Sequence, residues 1–241
     1  MANERGNQME FENRAVVVTG GTGALGAAVV GALLDEGAAC HVPYLYEQEA
    51  LHFPHRDHPR LTFHPGTDLT DEAAVGRLYG AVAHPWASIH LAGGFAAGPV
   101  TTATKAVFQG QLDINLVTAF LCCRNAVLAM AGNTDGGRIV NVSARPGVEW
   151  RGGAGMVAYA ASKAAVAALT VALAEEVVKA GILVNAVAPS IIDTSSNRKG
   201  MPNADHEAWP KPEEVARTLL FLASPGNWVT RGAVVSVFGQ A

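Results

Sequence analysis

Residues 15–26 read Ala15-Val16-Val17-Val18-Thr19-Gly20-Gly21-Thr22-Gly23-Ala24-Leu25-Gly26, and the stretch decides the architecture. A β-branched run of strand length meets a glycine turn, and an Ala/Val/Leu segment then runs from Ala24 to Glu36, where Gly37 closes it. That pattern is a strand, a tight turn and a helix. Further apolar runs of strand length lie at 39–44, 61–64, 87–91, 138–143, 183–187 and 233–238, with helical patterns between them at 71–82, 105–131, 157–180 and 212–223. Strands alternating with helices require right-handed crossovers and give a parallel sheet covered on both faces. The expectation is an α/β fold: a doubly wound parallel sheet of about seven strands with helices on both faces, in a single domain.

The chain has 241 residues, 49% hydrophobic and 16% charged, which suits one sizeable core rather than two. The domain is expected over residues 14–241, behind a flexible N-terminal tail of residues 1–13. A formal charge of −4 leaves no basic stripe to neutralise a phosphate backbone, so a small-molecule substrate is expected and nucleic acid is not. Cys40, Cys122 and Cys123 are an odd number in a long chain, and the adjacent pair lies on an apolar helical stretch. They read as reduced, buried hydrophobes, in keeping with a cytoplasmic location. The polar start holds no apolar core of signal-peptide length and no later run approaches the roughly 18 consecutive apolar residues of a membrane span, so no membrane association is expected. His52, His55, His58 and His64 are broken up by Pro54, Pro59 and Pro65 and joined by no Cys or paired carboxylate, and no metal is expected.

Gly20, Thr22, Gly23, Ala24, Leu25 and Gly26 can bring backbone N–H groups close to a pyrophosphate, and the N-terminus of the following helix adds a favourable dipole. Placed first in an alternating chain, this is the arrangement of a Rossmann-like fold, whose ligand crevice lies at the carboxyl ends of the strands. The alternative is a tight turn and nothing more. Asp68 and Leu69 follow the third strand, where a carboxylate and an apolar side chain could hold an adenine; Asp68 could equally cap the helix beginning near Asp71. Ala92, Gly93 and Gly94 end the fourth strand with small residues that let a cofactor lie flat against the backbone. NAD preference normally needs an acid at the end of the second strand to bond the ribose hydroxyls. Tyr44 stands there, with Arg56 and Arg60 just beyond. The cofactor is therefore NAD or NADP, the missing acid favouring NADP.

Tyr159 and Lys163 stand four apart at the start of the 157–180 helix, so phenol and ammonium share one face. A phenol with a pKa near 10 exchanges protons poorly at pH 7, and a neighbouring ammonium stabilises its phenolate. Such a pair can protonate a carbonyl under reduction or deprotonate an alcohol under oxidation. With the glycine turn, Asp68, Ala92-Gly93, Asn115 and Asn185-Ala186-Val187-Ala188-Pro189 followed by Thr194, the series resembles that of the short-chain dehydrogenase/reductase family over nearly the whole chain. The resemblance implies an NAD(P)-dependent oxidoreductase. It makes Tyr159 the acid/base and Lys163 both its activator and a ligand of the nicotinamide ribose. It has Asn115 kink its helix and hold a proton-relay water, puts Ile192 and Thr194 on the carboxamide, and counts Pro189 and Ser190 among the cofactor-binding residues.

The departures matter as much. Ala24 replaces a glycine of the commonest family turn, His90 and Leu91 stand where asparagines are usual, and Ser190 replaces a glycine. Thirteen residues before Tyr159, where the family's catalytic serine usually lies, is Pro146. Ser143 is the nearby hydroxyl and Ala144 an alternative occupant of the slot. Either Ser143 bonds the substrate oxygen, or no serine does and the substrate arrives already activated.

A narrower likeness bears on that choice. The segments 91–98, 155–159 and 197–205 with Trp209 are similar to the dihydropteridine reductases of the same family, which lack the serine and reduce a conjugated C=N system. Phe95 and Trp150 are candidates for stacking on a flat substrate. In the turn-rich segment 191–210, Asn197, Arg198 and Lys199 could meet a polar or anionic substrate, and Met201, Pro202 and Trp209 could cover it. The alternative is a solvated loop docked by its Trp. A homodimer or homotetramer is the family expectation, and the Ala-rich face of the 157–180 helix suits packing on its copy. Hydride transfer to a C=O or C=N group of a small, cyclic substrate is the leading functional expectation. Dihydropteridine-reductase-like activity and a non-catalytic dinucleotide-binding sensor are the rivals.

Overall fold

Val16, Val17 and Val18 point alternately to opposite faces of a strand, and all three are buried. Both faces of that strand must therefore be covered. The computed structural model describes residues 9–241 and shows how. Its strands are β1 (Ala15–Thr19), β2 (Ala39–Pro43), β3 (Leu61–His64), β4 (Ala87–His90), β5 (Gly137–Val142), β6 (Ile182–Pro189) and β7 (Val234–Val237). Its helices are α1 (Ala24–Asp35), α2 (Gln48–Leu51), α3 (Glu72–Gly80), α4 (Lys105–Leu112), α5 (Thr118–Met130), α6 (Arg145–Val148), α7 (Val157–Val177), α8 (Ser195–Gly200) and α9 (Pro212–Ala223). All strand pairs are parallel, in the order β3-β2-β1-β4-β5-β6-β7. The order reverses between β1 and β4, which opens the crevice at their carboxyl ends.

Val16, Val18, Val42 and Ile89 pack with Val29, Leu33 and Leu219 of α1 and α9 on one face. Val17, Ile139 and Val184 pack with Leu78, Leu121 and Val177 of α3, α5 and α7 on the other. The expected seven strands and doubly wound topology are thus present.

Three local departures appear. Phe11 is 0% exposed, belongs to the α1/α9 core and donates its N–H to the Glu36 carbonyl at 2.9 Å. The fold therefore takes in residues assigned to a flexible tail; residues 1–8 of that tail lie outside the described residues. Segment 191–210, expected as a loop, contains α8 and a short 3-10 turn at His206–Ala208. Lys105–Met130 and Val157–Ala180 are apolar and long enough to cross a membrane by length and composition. No unbroken apolar run betrays them, because isolated polar residues such as Asn115, Ser162 and Lys163 interrupt both. In the fold α5 and α7 lay one face on the sheet.

Candidate active site

At the crevice, backbone crowds backbone. Gly20 has φ +65°, and a Cβ there would lie 2.7 Å from the Ala92 nitrogen, so the turn closes on the end of β4 only because residue 20 is glycine. Gly23 heads α1 with no side-chain cap, which leaves the first-turn N–H groups for an incoming acceptor. A cradle that admits no side chain, at the N-terminus of a helix, fits the pyrophosphate of a dinucleotide.

Around that cradle, Asp71 is the helix cap, accepting from the Ala74 N–H at 2.7 Å. Asp68 engages the N–H and hydroxyl of Thr70 through one oxygen, at 2.8 and 2.7 Å. The capping alternative for Asp68 is thereby removed. Leu69 leans on the α3/α5 core. Tyr44 is buried, edge-on to Phe63, with its hydroxyl donating to Glu47 at 3.1 Å; it is a wall of the second-strand end. Both arginines offered for a 2′-phosphate donate to backbone carbonyls. Arg60 donates to the Leu34 carbonyl at 2.8 Å, and Arg56 to the Leu51 carbonyl at 3.0 Å.

The helical spacing of α7 turns Ser162 and Lys163 inward beside half-buried Tyr159. Lys163 is 6% exposed and donates to the Val142 carbonyl at the end of β5, at 2.9 Å. Phe95 meets Tyr159 edge to face, with ring centroids 4.9 Å apart. Between α4 and α5 the helix widens to a π-turn over Asp113–Val117, which carries Asn115. Its amide accepts from Gly94 N–H at 3.0 Å and donates to the Gly94 carbonyl at 2.9 Å and to Ser162 Oγ at 3.1 Å. A Cβ on Gly93 would lie 2.5 Å from Asn115 Oδ1 and 3.3 Å from Lys163 Nζ. Asn115, Ser162 and the β4 exit thus form a clamp that ties the Phe95 loop to α7. Asn115, expected to kink its helix, lies within this π-turn.

Burial acts on both members of the pair. Burial pushes the Tyr159 phenol up to about 12 and the Lys163 ammonium down to about 8. Desolvation disfavours the charged form of each.

Ser143 is engaged inside the fold. It is 1% exposed, and its hydroxyl donates to the Lys163 backbone carbonyl at 2.8 Å beneath the α6/α7 contact. That geometry aims it at the underside of α7 instead of a substrate. Ala144, next in the chain, offers no hydroxyl, and Pro146 sits within α6. Trp150 is not brought to Tyr159. It lines a separate groove of about 470 Å³ with Val157, Ala160, Ala161 and Ala164, the opposite face of α7.

Past Pro189, the Ser190 hydroxyl donates to the Phe238 carbonyl at 2.8 Å. Thr194 caps α8, accepting from the Asn197 N–H at 3.2 Å. The Asn197 amide donates to the Ile192 carbonyl at 2.8 Å, and Arg198 forms a two-pronged pair with Asp193 at 2.5 and 2.7 Å. The Arg198 guanidinium holds the Asp193 carboxyl below its usual range. Asn197 and Arg198, expected to meet substrate, thus brace their own loop. Met201 is half-buried, and its carbonyl lies 2.8 Å from His206 Nε2.

Two residues escaped the sequence reading. Ser162, one helical turn from Tyr159, was hidden by its ordinary place in an Ala-rich helix. Glu49 joins the glycine turn to the second-strand exit. Its distance along the chain from the glycines was the available signal, but it lies off the strand.

Comparison with known proteins agrees with this geometry. The family model described as short chain dehydrogenase matches residues 14–204. The cis-4-hydroxycyclohexanecarboxylate dehydrogenase of Sinomonas cyclohexanicum is 33% identical, over 95% of this chain and 96% of its own. A (2S)-[(R)-hydroxy(phenyl)methyl]succinyl-CoA dehydrogenase subunit, BbsD of Thauera aromatica, is 30% identical over 96% and 97%. Among solved structures, gox2181 superimposes with a TM-score of 0.88 at 28% identity, covering 96% of both chains. ElxO with NADP bound does so with a TM-score of 0.85 at 25% identity, covering 94% of this chain and 97% of its own. Fold, glycine cradle, Tyr/Lys helix face and relatives spanning nearly the full length agree that this chain belongs to the short chain dehydrogenase family of oxidoreductases.

Proposed function

We propose that the chain transfers hydride between NAD(P)H and a C=O or C=N group of a small, cyclic substrate, with Tyr159 as proton donor in reduction and acceptor in oxidation. The observation that carries this is the placing of Tyr159 and Lys163 beside the Gly94–Asn115–Ser162 clamp, at the crevice where the strand order reverses. The nicotinamide group, when bound, supplies or takes the hydride. Gly20, Thr22, Gly23, Ala24, Leu25 and Gly26 would hold the pyrophosphate, Asp68 and Leu69 the adenine, and Ala92, Gly93, Gly94, Pro189, Ser190, Ile192 and Thr194 the nicotinamide half. A phenol near 12 is protonated at pH 7, ready to donate to an atom gaining electrons. Lys163, near 8, keeps most of its charge there and steadies the phenolate left behind. Phe95, 62% exposed and edge-on to Tyr159, offers a flat substrate a surface at the proton donor.

Tyr159→Phe is expected to lower kcat roughly 100- to 10,000-fold while changing the dinucleotide Kd less than about threefold. Near-normal turnover in that variant would sink the assignment.

The commitment of Ser143 to the Lys163 carbonyl favours a substrate that needs no hydroxyl to polarise it, such as the conjugated C=N of a quinonoid dihydropterin. Parallel assays with that pterin and with simple ketones separate the two, and faster turnover of ketones would reject the narrower reading. The exposed apolar residues Phe108, Ile114, Phe120 and Leu128 of the α4–α5 stretch, with Val157 and Val171 of α7, support a homodimer or homotetramer. The buried thiols Cys40, Cys122 and Cys123 support a cytoplasmic location.

A further inference from the structure

Glu49, on α2, bridges the two walls of the crevice beside β1. One carboxylate oxygen accepts from the N–H groups of Leu45 and Tyr46 at 3.2 and 2.9 Å, just past the end of β2. The other accepts from the Thr22 hydroxyl in the glycine turn at 3.1 Å. The carboxylate is exposed to solvent and aimed across the gap between the pyrophosphate cradle and the second strand. In doubly wound folds that gap receives the adenosine ribose, and an acid about 20 residues beyond the glycines reads its hydroxyls. Tyr44 fills the usual place of that acid, so the strand itself supplies none.

We propose that Glu49 takes over this task from the following helix, accepting a hydrogen bond from the adenosine ribose of NADH and excluding NADPH. A carboxylate receiving three donors is fixed in place, and the oxygen bonded to Thr22 retains a lone pair for one more hydroxyl. A 2′-phosphate beside it meets like charge. Glu47, bonded to Tyr44, adds a second negative group at the same strand end; Arg60 is turned to the Leu34 carbonyl, and Arg56, half-exposed near Tyr44, donates to the Leu51 carbonyl. The inference rests on the dinucleotide-binding reading above and deepens it.

The test is an equilibrium fluorescence titration of the full chain with NADH and NADPH, in the wild type and in Glu49→Gln, with thermal melting to verify the fold. The wild type is expected to bind NADH at least roughly tenfold more tightly than NADPH, a gap of the size one close like-charge pair produces. Glu49→Gln is expected to close most of that gap, weakening NADH and strengthening NADPH. A salt series on the wild type needs no variant: raising ionic strength should narrow the gap by screening the repulsion. NADPH bound as tightly as NADH, a gap unchanged in Glu49→Gln, or a gap that widens with salt would each overturn the role of Glu49 while leaving the dinucleotide site standing. Binding of neither dinucleotide would remove the site itself.

Discussion

Ser143, 1% exposed, commits its hydroxyl to the Lys163 backbone carbonyl, and Lys163 commits its ammonium to the Val142 carbonyl, so each side of the β5–α7 junction holds the other. A serine immediately past a buried strand has no preferred direction that its neighbours in sequence can reveal, because α6 and α7, which close over it, are brought there by tertiary packing. Tyr159 and Lys163 were legible for the converse reason: helical spacing alone puts i and i+4 on one face. With Ser143 bonded to the Lys163 carbonyl at 2.8 Å, Ser143→Ala is expected to leave kcat within about threefold of wild type and to cost about 1 kcal/mol of stability from the lost buried bond. Steady-state kinetics and urea unfolding on one preparation read both numbers, and a hundredfold fall in kcat would return Ser143 to the substrate. Lys163 carries a separate signature. Its pKa is lowered from 10.5 to about 8, so between those values the unfolded chain holds a proton that the folded one lacks. Stability from this group rises with pH across that window, and Lys163→Met is expected to flatten the rise while abolishing turnover. An unchanged stability profile between pH 8 and 10 would show that Lys163 is solvated in solution.

At the element scale, the long periodic elements could be read directly, since a 3.6-residue apolar period or a β-branched run needs no partner to declare itself. The short helices α2, α6 and α8 are four to six residues long and make one turn or little more, too few for any period to emerge. Glu49 was lost with α2, and the bracing of Asn197 and Arg198 was lost with α8. The π-turn at Asp113–Val117 lies between these cases. The family resemblance implied a kink at Asn115, but the partners of its amide depend on the β4 exit arriving from elsewhere in the chain. Gly93 tests this junction. A Cβ there would collide with the Asn115 amide, and backbone and π-turn cannot both retreat without breaking the Gly94 bonds. Gly93→Ala is expected to cost roughly 1–3 kcal/mol and to lower kcat more than tenfold through a displaced Phe95–Tyr159 contact. Unaltered stability and turnover would mean that the clamp is loose.

At the scale of the whole molecule, a buried polar chain crosses the interior and joins layers that the hydrophobic cores only press together. Tyr79 of α3 bonds Ser88 at 2.6 Å, Ser88 bonds His90 at 2.8 Å, His90 bonds Asn141 of β5 at 2.8 Å, and Asn141 reaches Thr170 of α7 at 2.9 Å. His90, one of the departures from the family pattern, stands at its centre, and burial lowers its pKa from 6.5 to about 4. Between those two values the unfolded chain takes up a proton that folded His90 refuses, so stability is fully present above pH 6.5 and drains away as pH falls toward 4. The slope from this one group is at most about 1.4 kcal/mol per pH unit. His41, which faces His64 across the β2–β3 edge at 3.1 Å and is also lowered to about 4, acts in the same direction. Because carboxylates elsewhere add their own acid sensitivity, the informative quantity is a difference between two proteins. His90→Asn keeps a hydrogen-bonding side chain at the node and removes the titrating group. Urea unfolding at pH 7 and pH 5 should show a smaller loss of stability for His90→Asn than for wild type, with the variant less stable at pH 7, where its shorter side chain leaves Ser88 or Asn141 incompletely bonded. Equal losses would place the acid sensitivity in His41 and the surface carboxylates and leave the His90 chain as packing alone.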